Sequence, residues 1–428
     1  MGSKYQYFVE GLNNEQVNIR LNNLKQLQKM IDEGKIDKPK PKENRVNNHI
    51  HTTYSFSPYS PTRSVWEAYQ AGLTTAGIMD HDSISGAREF IKAGQIIGLA
   101  TTVGLECRAD FSDTRLAGKT INCPDQESIA YMTLHRVPHD NIEKVQKFFK
   151  PYREERNKRN RLMVDNLNEF FQSHGIKIDF DEDVIPISEY DDGGTITERH
   201  LLFAVAEKLI EQYGKGSKLF EAIKDDFEEV ITPKIKSYLI DEDNEYYKYD
   251  LLGLLKKDTS YFFIEASSEC PDVKEVLKLA EEVGAITAYA YLGDVKESVT
   301  GDKKAQKFED DYLDLLFEVL DNLGFNAVAY MPSRNTMDQL QRLKSYCDDN
   351  GFFQISGEDI NSPRQSFICE ALEKEEFHNL IDSTWALIGH EKAATENIED
   401  GMFTEKTISK YPELEKRIEV FKEIGREK

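Results

Sequence analysis

Two hydrophobic patterns alternate along most of this sequence. Apolar residues spaced three and four positions apart predict amphipathic helices at residues 60–72, 83–95, 272–284, 311–324 and 336–351. Short apolar or β-branched runs lie between these segments and predict strands at residues 74–80, 101–107, 285–291, 326–331 and 352–360. Because alternating strands and helices form βα units, the pattern predicts an α/β fold around a parallel sheet or barrel.

Both ends of the chain depart from this alternation. Residues 1–44 hold a helical pattern followed by a charged linker with two prolines, which predicts an N-terminal helical arm and linker. Residues 366–428 are charged and helical in pattern, which predicts a C-terminal helical extension. We expect four histidines outside the motifs described below to lie on the surface: His139, His174, His378 and His390.

The middle of the chain changes character as well. Over residues 139–250 the short strands disappear and long polar helices replace them, with separate helices predicted at 140–150 and 155–175 and another at 198–212. This change predicts a helical insertion that divides the barrel sequence into a first part, residues 45–138, and a second part, residues 251–365.

The charge balance restricts the class of partner. The 428 residues include 77 acidic and 54 basic side chains, for a net charge of −23, which would repel a nucleic-acid backbone. No run of about 18 apolar residues is present, so no membrane span is expected. The first ten residues lack a signal pattern, so we expect a cytoplasmic protein. Five separated cysteines without a CxxC pair argue against a disulfide framework or structural zinc.

The first candidate for chemistry is the pair His49 and His51. They follow a β-type entry, and residues i and i+2 of a strand point to the same side, so both imidazoles would face one spot. The alternative is that they are two half-buried histidines at the end of a strand.

Further polar groups stand at the ends of later apolar runs. Asp80, His81 and Asp82 close one such run, Glu106 closes the next, and Asp359 follows the last. Catalytic groups gather at the carboxyl ends of strands in βα architectures, and a set of imidazoles and carboxylates suits zinc, iron or manganese. The alternative reading is that Asp82 caps the following helix, which would explain only one of these residues.

Three segments resemble one known family, the PHP (polymerase and histidinol phosphatase) metal-dependent hydrolases. Residues 48–90, NHIHTTYSFSPYSPTRSVWEAYQAGLTTAGIMDHDSISGAREF, are similar to the family's opening segment. GLEC at 104–107 and DNGFFQISGEDIN at 349–361 are similar to its glutamate and closing motifs. The resemblance implies a distorted (β/α)7 barrel of PHP type and a metal-activated water as the nucleophile. It also implies a metal site formed by His49, His51, Glu106 and Asp359.

Two residues next to the metal site are candidates for catalysis. Beside a single metal, His81 could act as general acid or base, and Asp80 could orient it. The family usually binds two further metals, but imidazole ligands of the second correspond here to Tyr131 and Tyr291, with His135 close enough in sequence to substitute. The positions of the third are Phe56, His81 and Asn361. Since phenylalanine cannot bind a cation, the resemblance implies one well-formed site for a divalent transition metal beside two degraded ones.

The insertion offers candidate anion-binding groups. Residues 153–161 carry five basic side chains, of which Arg156 and Arg159 could bind phosphate; the alternative is a solvated helix face. The family's lid often carries an Arg-x-His motif, which Thr197-Glu198-Arg199-His200 resembles with the arginine displaced by one. Arg199 and His200 are therefore substrate-binding candidates, and the alternative for His200 is a histidine at a helix start.

These observations favour a metal-dependent phosphoesterase that acts on a small phosphorylated, hence anionic, metabolite. A strongly acidic protein needs a metal or arginines to attract such a substrate. Two alternatives stay open at this stage. One is a catalytically weakened member that binds a ligand or partner, and the other is a single-metal hydrolase of a non-phosphate substrate.

Overall fold

The sheet that organises the molecule has seven strands in sequential order. The computed structural model describes residues 5–294 and 306–427. The strands are β1 (Val46–Ile50), β2 (Thr75–His81), β3 (Ala100–Asp110), β4 (Ile129–His135), β5 (Ile286–Ala290), β6 (Ala327–Tyr330) and β7 (Phe353–Ser356). All neighbouring strands are parallel except at β4, which is antiparallel to both β3 and β5. The predicted α/β class is confirmed, whereas the expectation of a wholly parallel sheet is wrong at β4.

The sheet curls until its two ends meet. Ile360, just beyond β7, forms a parallel bridge with Ile50 at the end of β1. The backbone N–H of Ile360 donates to the His49 carbonyl at 3.1 Å, and the His51 N–H donates to the Ile360 carbonyl at 3.0 Å. This closure brings the segment after β7 beside the two histidines of β1.

Fifteen α-helices surround or cover the sheet in the described residues. They are α1 (Gln6–Glu10), α2 (Val17–Asp32), α3 (Pro61–Gln70), α4 (Ala87–Ile97), α5 (Ile142–Phe170), α6 (Glu198–Tyr213), α7 (Ser217–Ile223), α8 (Pro233–Ile240), α9 (Tyr247–Leu255), α10 (Val273–Val283), α11 (Leu313–Leu323), α12 (Met337–Asn350), α13 (His378–Glu396), α14 (Glu405–Lys410) and α15 (Leu414–Arg426). Across the parts of the chain described, none of the helices is long and apolar enough to span a membrane.

Helices α5 to α9 build a second hydrophobic core beside the sheet. Met163, Leu167, Leu201, Val205 and Leu251 are buried together in it. The two helices expected at 140–150 and 155–175 are instead one 29-residue helix, α5, which continues through Pro151. Its arginines are held by buried carboxylates, as described below, and these contacts fix the second half of the helix in line with the first.

Helix α13 fills the interior of the curled sheet. Its Ala386 and Leu387 pack with Ala288 of β5. Ala288 is paired with Thr133 of β4, and Thr133 is paired with Glu106 of β3. Because paired residues of neighbouring strands lie on one face of the sheet, α13 packs on the same face that carries Glu106. His390 in α13 is buried: its Nε2 donates to the Gly284 carbonyl at 2.9 Å and its Nδ1 accepts the Met402 N–H at 2.8 Å. The expectation that His390 lies on the surface is therefore wrong.

The N-terminal arm is tied to helix α4 by a buried ion pair. Leu21, Leu24 and Leu27 of α2 are buried in the main core, as their helical spacing requires. Beside them Arg20 donates from Nε and Nη2 to the Glu89 carboxylate of α4 at 2.8 and 2.6 Å. A bidentate pair of this kind fixes the orientation of the arm against α4.

Candidate metal centre

Three predicted ligands meet at the carboxyl end of β1, and one of them, Glu106, lies within β3 and not at its end as the sequence predicted. One ligand atom each from His49, His51 and Glu106 can be chosen so that all lie within 4.8 Å of one another. The histidines point the same way because they flank Ile50, and β3 brings Glu106 to the same level beside His81 of β2. His49 Nε2 lies 3.8 Å from Glu106 Oε2.

The fourth predicted ligand, Asp359, arrives through the closure of the sheet. Its Oδ1 lies 3.2 Å from His51 Nε2. The same oxygen accepts a hydrogen bond of 2.6 Å from Asn361 Nδ2. Asn361, which occupies a position of the family's third metal, therefore holds a ligand in place instead of acting as one.

The donor set fits a divalent metal ion. His51 is fully buried, and its Nε2 has no hydrogen bond of acceptable geometry although Asp359 is close. A buried imidazole nitrogen without such a partner, facing two carboxylates, is expected of a metal ligand, and the N/O composition suits zinc, iron or manganese. These residues could therefore hold one ion.

Burial and charge shift the ionisation of the ligands in different directions. Burial lowers the pKa of His49, against the attraction of Glu106. Burial also opposes protonation of His51, but the adjacent Asp359 carboxylate and the charges of Glu106 and Asp80 outweigh this and raise its pKa. Burial tends to raise the pKa of Asp359, yet His51, His49 and Arg199 bring it well below the usual range. Asp359 is thus a carboxylate at neutral pH.

His81 lies beside the three-ligand group. Its Nδ1 is 3.1 Å from Glu106 Oε2, and its ring centroid is 4.6 Å from that of His51. Burial, His51 and Arg156 hold its pKa well below the ordinary value, so the imidazole is neutral. His81 therefore contacts a predicted metal ligand directly.

Asp80 does not orient His81 as predicted from the sequence. Adjacent strand residues point to opposite faces, and the Asp80 carboxylate faces the loop after β1. It accepts hydrogen bonds from the Thr52 N–H at 2.7 Å, from Thr52 Oγ1 at 2.6 Å and from Ser55 Oγ at 2.6 Å. Burial raises the pKa of Asp80, against these hydrogen bonds and the nearby His51.

His135 is not brought into the ligand group. It pairs with Gly104 on β3, two residues before Glu106, so it lies about 6.6 Å deeper along the strand. His135 is buried, and burial together with Arg136 and His49 brings its pKa well below the ordinary value. Its place is beneath the site, where it does not supply the missing imidazole of a second metal.

Of the other altered positions, Tyr131 lies near His81, whereas Tyr291 and Phe56 contact residues outside the ligand group. Tyr131 pairs with Arg108 on β3, and its ring centroid lies 6.0 Å from that of His81. The Tyr291 hydroxyl donates to Asp310 Oδ1 at 2.5 Å. Phe56 sits at φ +91°, a conformation that side chains rarely adopt, and its ring packs edge-on against His200 at 5.0 Å between centroids.

The predicted phosphate-binding arginines of α5 are already paired with carboxylates. Arg159 Nε lies 2.6 Å from Glu269 Oε2, and its Nη2 lies 2.5 Å from Glu198 Oε1. Arg156 Nη1 lies 3.0 Å from Asp82 Oδ2. Both arginines are buried. They therefore neither form a solvated helix face nor offer an open site for an anion, which were the two possibilities that the sequence suggested.

Arg108, Arg153, Arg156 and Arg159 form one ionic cluster with Asp82, Glu198 and Glu269. The sequence did not indicate the acidic members of this cluster as partners of the arginines. Glu269 also pairs with Arg108 of β3, and Arg153 donates to the Asp82 carbonyl at 2.7 Å. Glu269 is more than 100 residues from Arg159 in sequence, and no local pattern marks it. The only signal in the sequence was the excess of arginines in a predicted helix that continues into an apolar run from Leu162.

The two lid candidates lie side by side but face different surroundings. Arg199 is close enough to Asp359 for its charge to help lower that carboxylate's pKa. His200 is buried and its Nδ1 accepts the Thr197 N–H at 3.0 Å, which closes a capping box at the start of α6. Burial lowers the pKa of His200 to about 3. His200 is therefore a buried histidine at the start of a helix, and it is not placed to contact substrate as the sequence predicted.

Comparison with known proteins gives two solved structures that are similar over most of the chain. A candidate metal-dependent phosphoesterase from Bifidobacterium adolescentis is 19% identical, with 78% of this chain and 96% of that chain covered and a TM-score of 0.48. An amidohydrolase from Chromobacterium violaceum, solved with sulfate and without metal, is 14% identical, with 76% and 90% covered and a TM-score of 0.48. No family model and no curated protein matches. At this level of similarity the function is argued from the residues of the site.

Proposed function

We propose that this protein is a metal-dependent hydrolase of the PHP type, with a distorted (β/α)7 barrel, that cleaves a phosphoester in a small anionic molecule. The observation that supports the proposal is the convergence of His49, His51 and Glu106 on one spot, with Asp359 completing the group. These four residues would hold one divalent ion. When bound, the ion would supply Lewis-acid polarisation of the phosphoryl group and a more acidic water.

His81 is the candidate for proton transfer. Its Nδ1 lies 3.1 Å from Glu106 Oε2, so a proton on Nδ1 would face that carboxylate and Nε2 would be the nitrogen that accepts a proton. Burial keeps the ring neutral, as a general base requires. His81 would thus take a proton from the attacking water and return it to the leaving oxygen.

Arg199 is the candidate for binding the anion. It stands at the start of α6, close enough to Asp359 for its charge to help lower the pKa of that carboxylate. A single guanidinium beside the metal would orient one phosphoryl group and offset part of the local negative charge.

The test measures metal content and turnover together. Full-length protein loaded with Mn²⁺ or Zn²⁺ should hold one equivalent and release phosphate from one or more members of a panel of sugar and nucleotide phosphates. His49→Ala should lose both the equivalent and the turnover, and His378→Gln, at an exposed position, should keep both. A protein that binds no metal at all would refute the hydrolase proposal.

One observation favours a second candidate function. Asn361 and Tyr131 occupy positions where the family has imidazole ligands, and Asn361 is committed to Asp359. A single-metal hydrolase of a non-phosphate substrate, or a protein that binds a ligand without turnover, needs no more than the four-residue group. One bound equivalent without phosphate release from any phosphoester would favour these alternatives; hydrolysis of amide or lactone substrates would then separate the two.

A further inference from the structure

A buried chain of hydrogen bonds leads from Asp80 of β2 to His51, a candidate metal ligand. The Asp80 carboxylate accepts the Ser55 hydroxyl at 2.6 Å, and the Ser55 oxygen lies 3.2 Å from His51 Nδ1. Asp80, Ser55 and His51 are each about 1% exposed. Water therefore cannot replace any of the three partners.

Counting protons fixes the direction of this chain. A serine hydroxyl has one proton, and Ser55 gives it to Asp80, whose two oxygens are occupied by three donors. Toward His51 the Ser55 oxygen can only accept. In the neutral, metal-binding form of His51 the ring proton would therefore lie on Nδ1, and the lone pair of Nε2 would face Glu106 and Asp359.

The same carboxylate fixes the backbone next to His51. The Thr52 N–H donates to Asp80 Oδ1 at 2.7 Å, and the Thr52 hydroxyl donates to Oδ2 at 2.6 Å. One carboxylate thus sets both the ring tautomer of His51 and the path of the chain that leaves it. The adjacent Phe56 anchors the far end of this short loop, with its ring 5.6 Å from that of Phe203 in α6.

We propose that Ser55 and Asp80 are positioning residues for metal binding, which act by holding the Nε2 lone pair of His51 toward the ion. This inference rests on the metal site of the proposed function. In this proposal Asp80 orients His51 and not His81. Ser55 has a role that neither its residue type nor its position in the sequence indicates. Hydrogen bonds that fix the tautomer of a metal-bound imidazole typically change metal affinity by about 10–100-fold when removed.

The experiment is a titration of metal-free, full-length protein with Zn²⁺ against a competing chelator, together with thermal unfolding of the metal-free protein. Ser55→Ala should weaken Zn²⁺ binding about 10–100-fold, with the unfolding temperature little changed. Ser55→Thr, which keeps a hydroxyl, should recover most of the affinity. Ser57→Ala is the matched control, because Ser57 is a buried serine of the same loop whose hydroxyl accepts from the Tyr59 N–H.

The outcomes separate this inference from the proposed function. Unchanged affinity in Ser55→Ala, while His51→Ala abolishes binding, would overturn the positioning role and leave the metal site intact. Unchanged affinity in His51→Ala would overturn the site itself.

Should Ser55→Ala fail to fold, the wild-type protein still decides the question. In ¹⁵N-histidine spectra of the Zn²⁺-loaded protein, with His51 assigned through His51→Gln, we expect a protonated Nδ1 and a metal-shifted Nε2. A protonated Nε2 on His51 would contradict the inference.

Discussion

At the scale of single residues, Asn361 is the hydrogen-bond partner of a candidate metal ligand. Asn361 stands where the family resemblance places an imidazole, and its side-chain amide donates to Asp359 Oδ1 at 2.6 Å. An amide is a poor ligand for a transition metal but a good donor to a carboxylate. The Asn361 side chain therefore orients the Asp359 carboxylate instead of offering an imidazole to an ion.

Asn361→Ala should therefore weaken binding of the single metal ion by about tenfold, because Asp359 loses the donor that fixes its carboxylate. Competition titration with Zn²⁺ measures the change, and Asn322→Ala, which alters an exposed helix residue, is the control. An increase in the number of bound ions, or no change in affinity, would contradict this role for Asn361.

The sequence predicts the ligand group better than its surroundings, for a physical reason. Strand periodicity places His49 and His51 on one side, and Asp359 follows β7 as the strand-end rule predicts. Glu106 lies within β3, which continues to Asp110, instead of closing the strand. The arginines of α5 follow no such rule, because their charge is neutralised by Glu269, which only the folded chain brings near. A local pattern gives the direction of a side chain but not the partner it meets.

At the scale of elements, the ionic cluster joins the insertion to the sheet. Glu269 is buried among Arg108 of β3 and Arg156 and Arg159 of α5. Several hydrogen-bonded charges in one buried cluster satisfy each other, but removing one member leaves an uncompensated charge. The orientation of α5 over the strand ends, and with it the position of α6 and Arg199, depends on this cluster.

Glu269→Ala should destabilise the protein by about 3–5 kcal/mol, since it leaves buried guanidinium groups without their shared carboxylate. Urea unfolding measures the loss, and Glu265→Ala, at an exposed position nearby, should change stability by less than about 0.5 kcal/mol. Equal effects of the two substitutions would show that the cluster contributes nothing specific.

A second contact between elements depends on pH. His139, just before α5, places its Nε2 3.0 Å from Glu391 Oε1 of α13, and this hydrogen bond raises the His139 pKa. A raised folded-state pKa means that the pair contributes stability fully below the unfolded value of about 6.5 and loses it as the pH rises through the folded pKa. His139→Gln should thus cost about 1 kcal/mol at pH 5.5 and less at pH 8.5.

Chemical unfolding at the two pH values tests this sign. His378→Gln, an exposed histidine with the same change of side chain, controls for general effects of pH on the protein. A cost for His139→Gln that grows with pH would contradict the assignment.

At the scale of the whole molecule, the C-terminal helices are part of the core instead of an appendage. The charged sequence of residues 366–428 predicts helices correctly, but it does not show that α13 enters the curled sheet. Helix α13 is held there by α15, and the two cross where both carry glycine. A Cβ on Gly389 would lie 1.9 Å from the Phe421 carbonyl oxygen, and one on Gly425 would lie 2.0 Å from that of Trp385.

Gly389→Ala should therefore destabilise the protein by about 1–3 kcal/mol or more, because the backbones of α13 and α15 must separate. Gly253→Ala is the matched control: Gly253 also lies inside a helix, α9, and a Cβ there meets nothing within 4 Å. It should leave stability unchanged or raise it by about 0.4–1 kcal/mol. Thermal unfolding compares the two, and a neutral Gly389→Ala would show that the close crossing is not required.

The position of α13 in the chain also dictates the order in which the protein can mature during synthesis. The side chain of Asn48, next to the first metal ligand, donates to Thr384 Oγ1 across 336 residues of sequence. All four candidate ligands leave the ribosome before α13 does, so a nascent chain carries the complete ligand set while the inside of its sheet is empty. Closure through such distant contacts is slow. We expect the chain to hold its metal tightly only after α13 has packed inside the sheet, with the ligands exposed to the cell's metal pool until then.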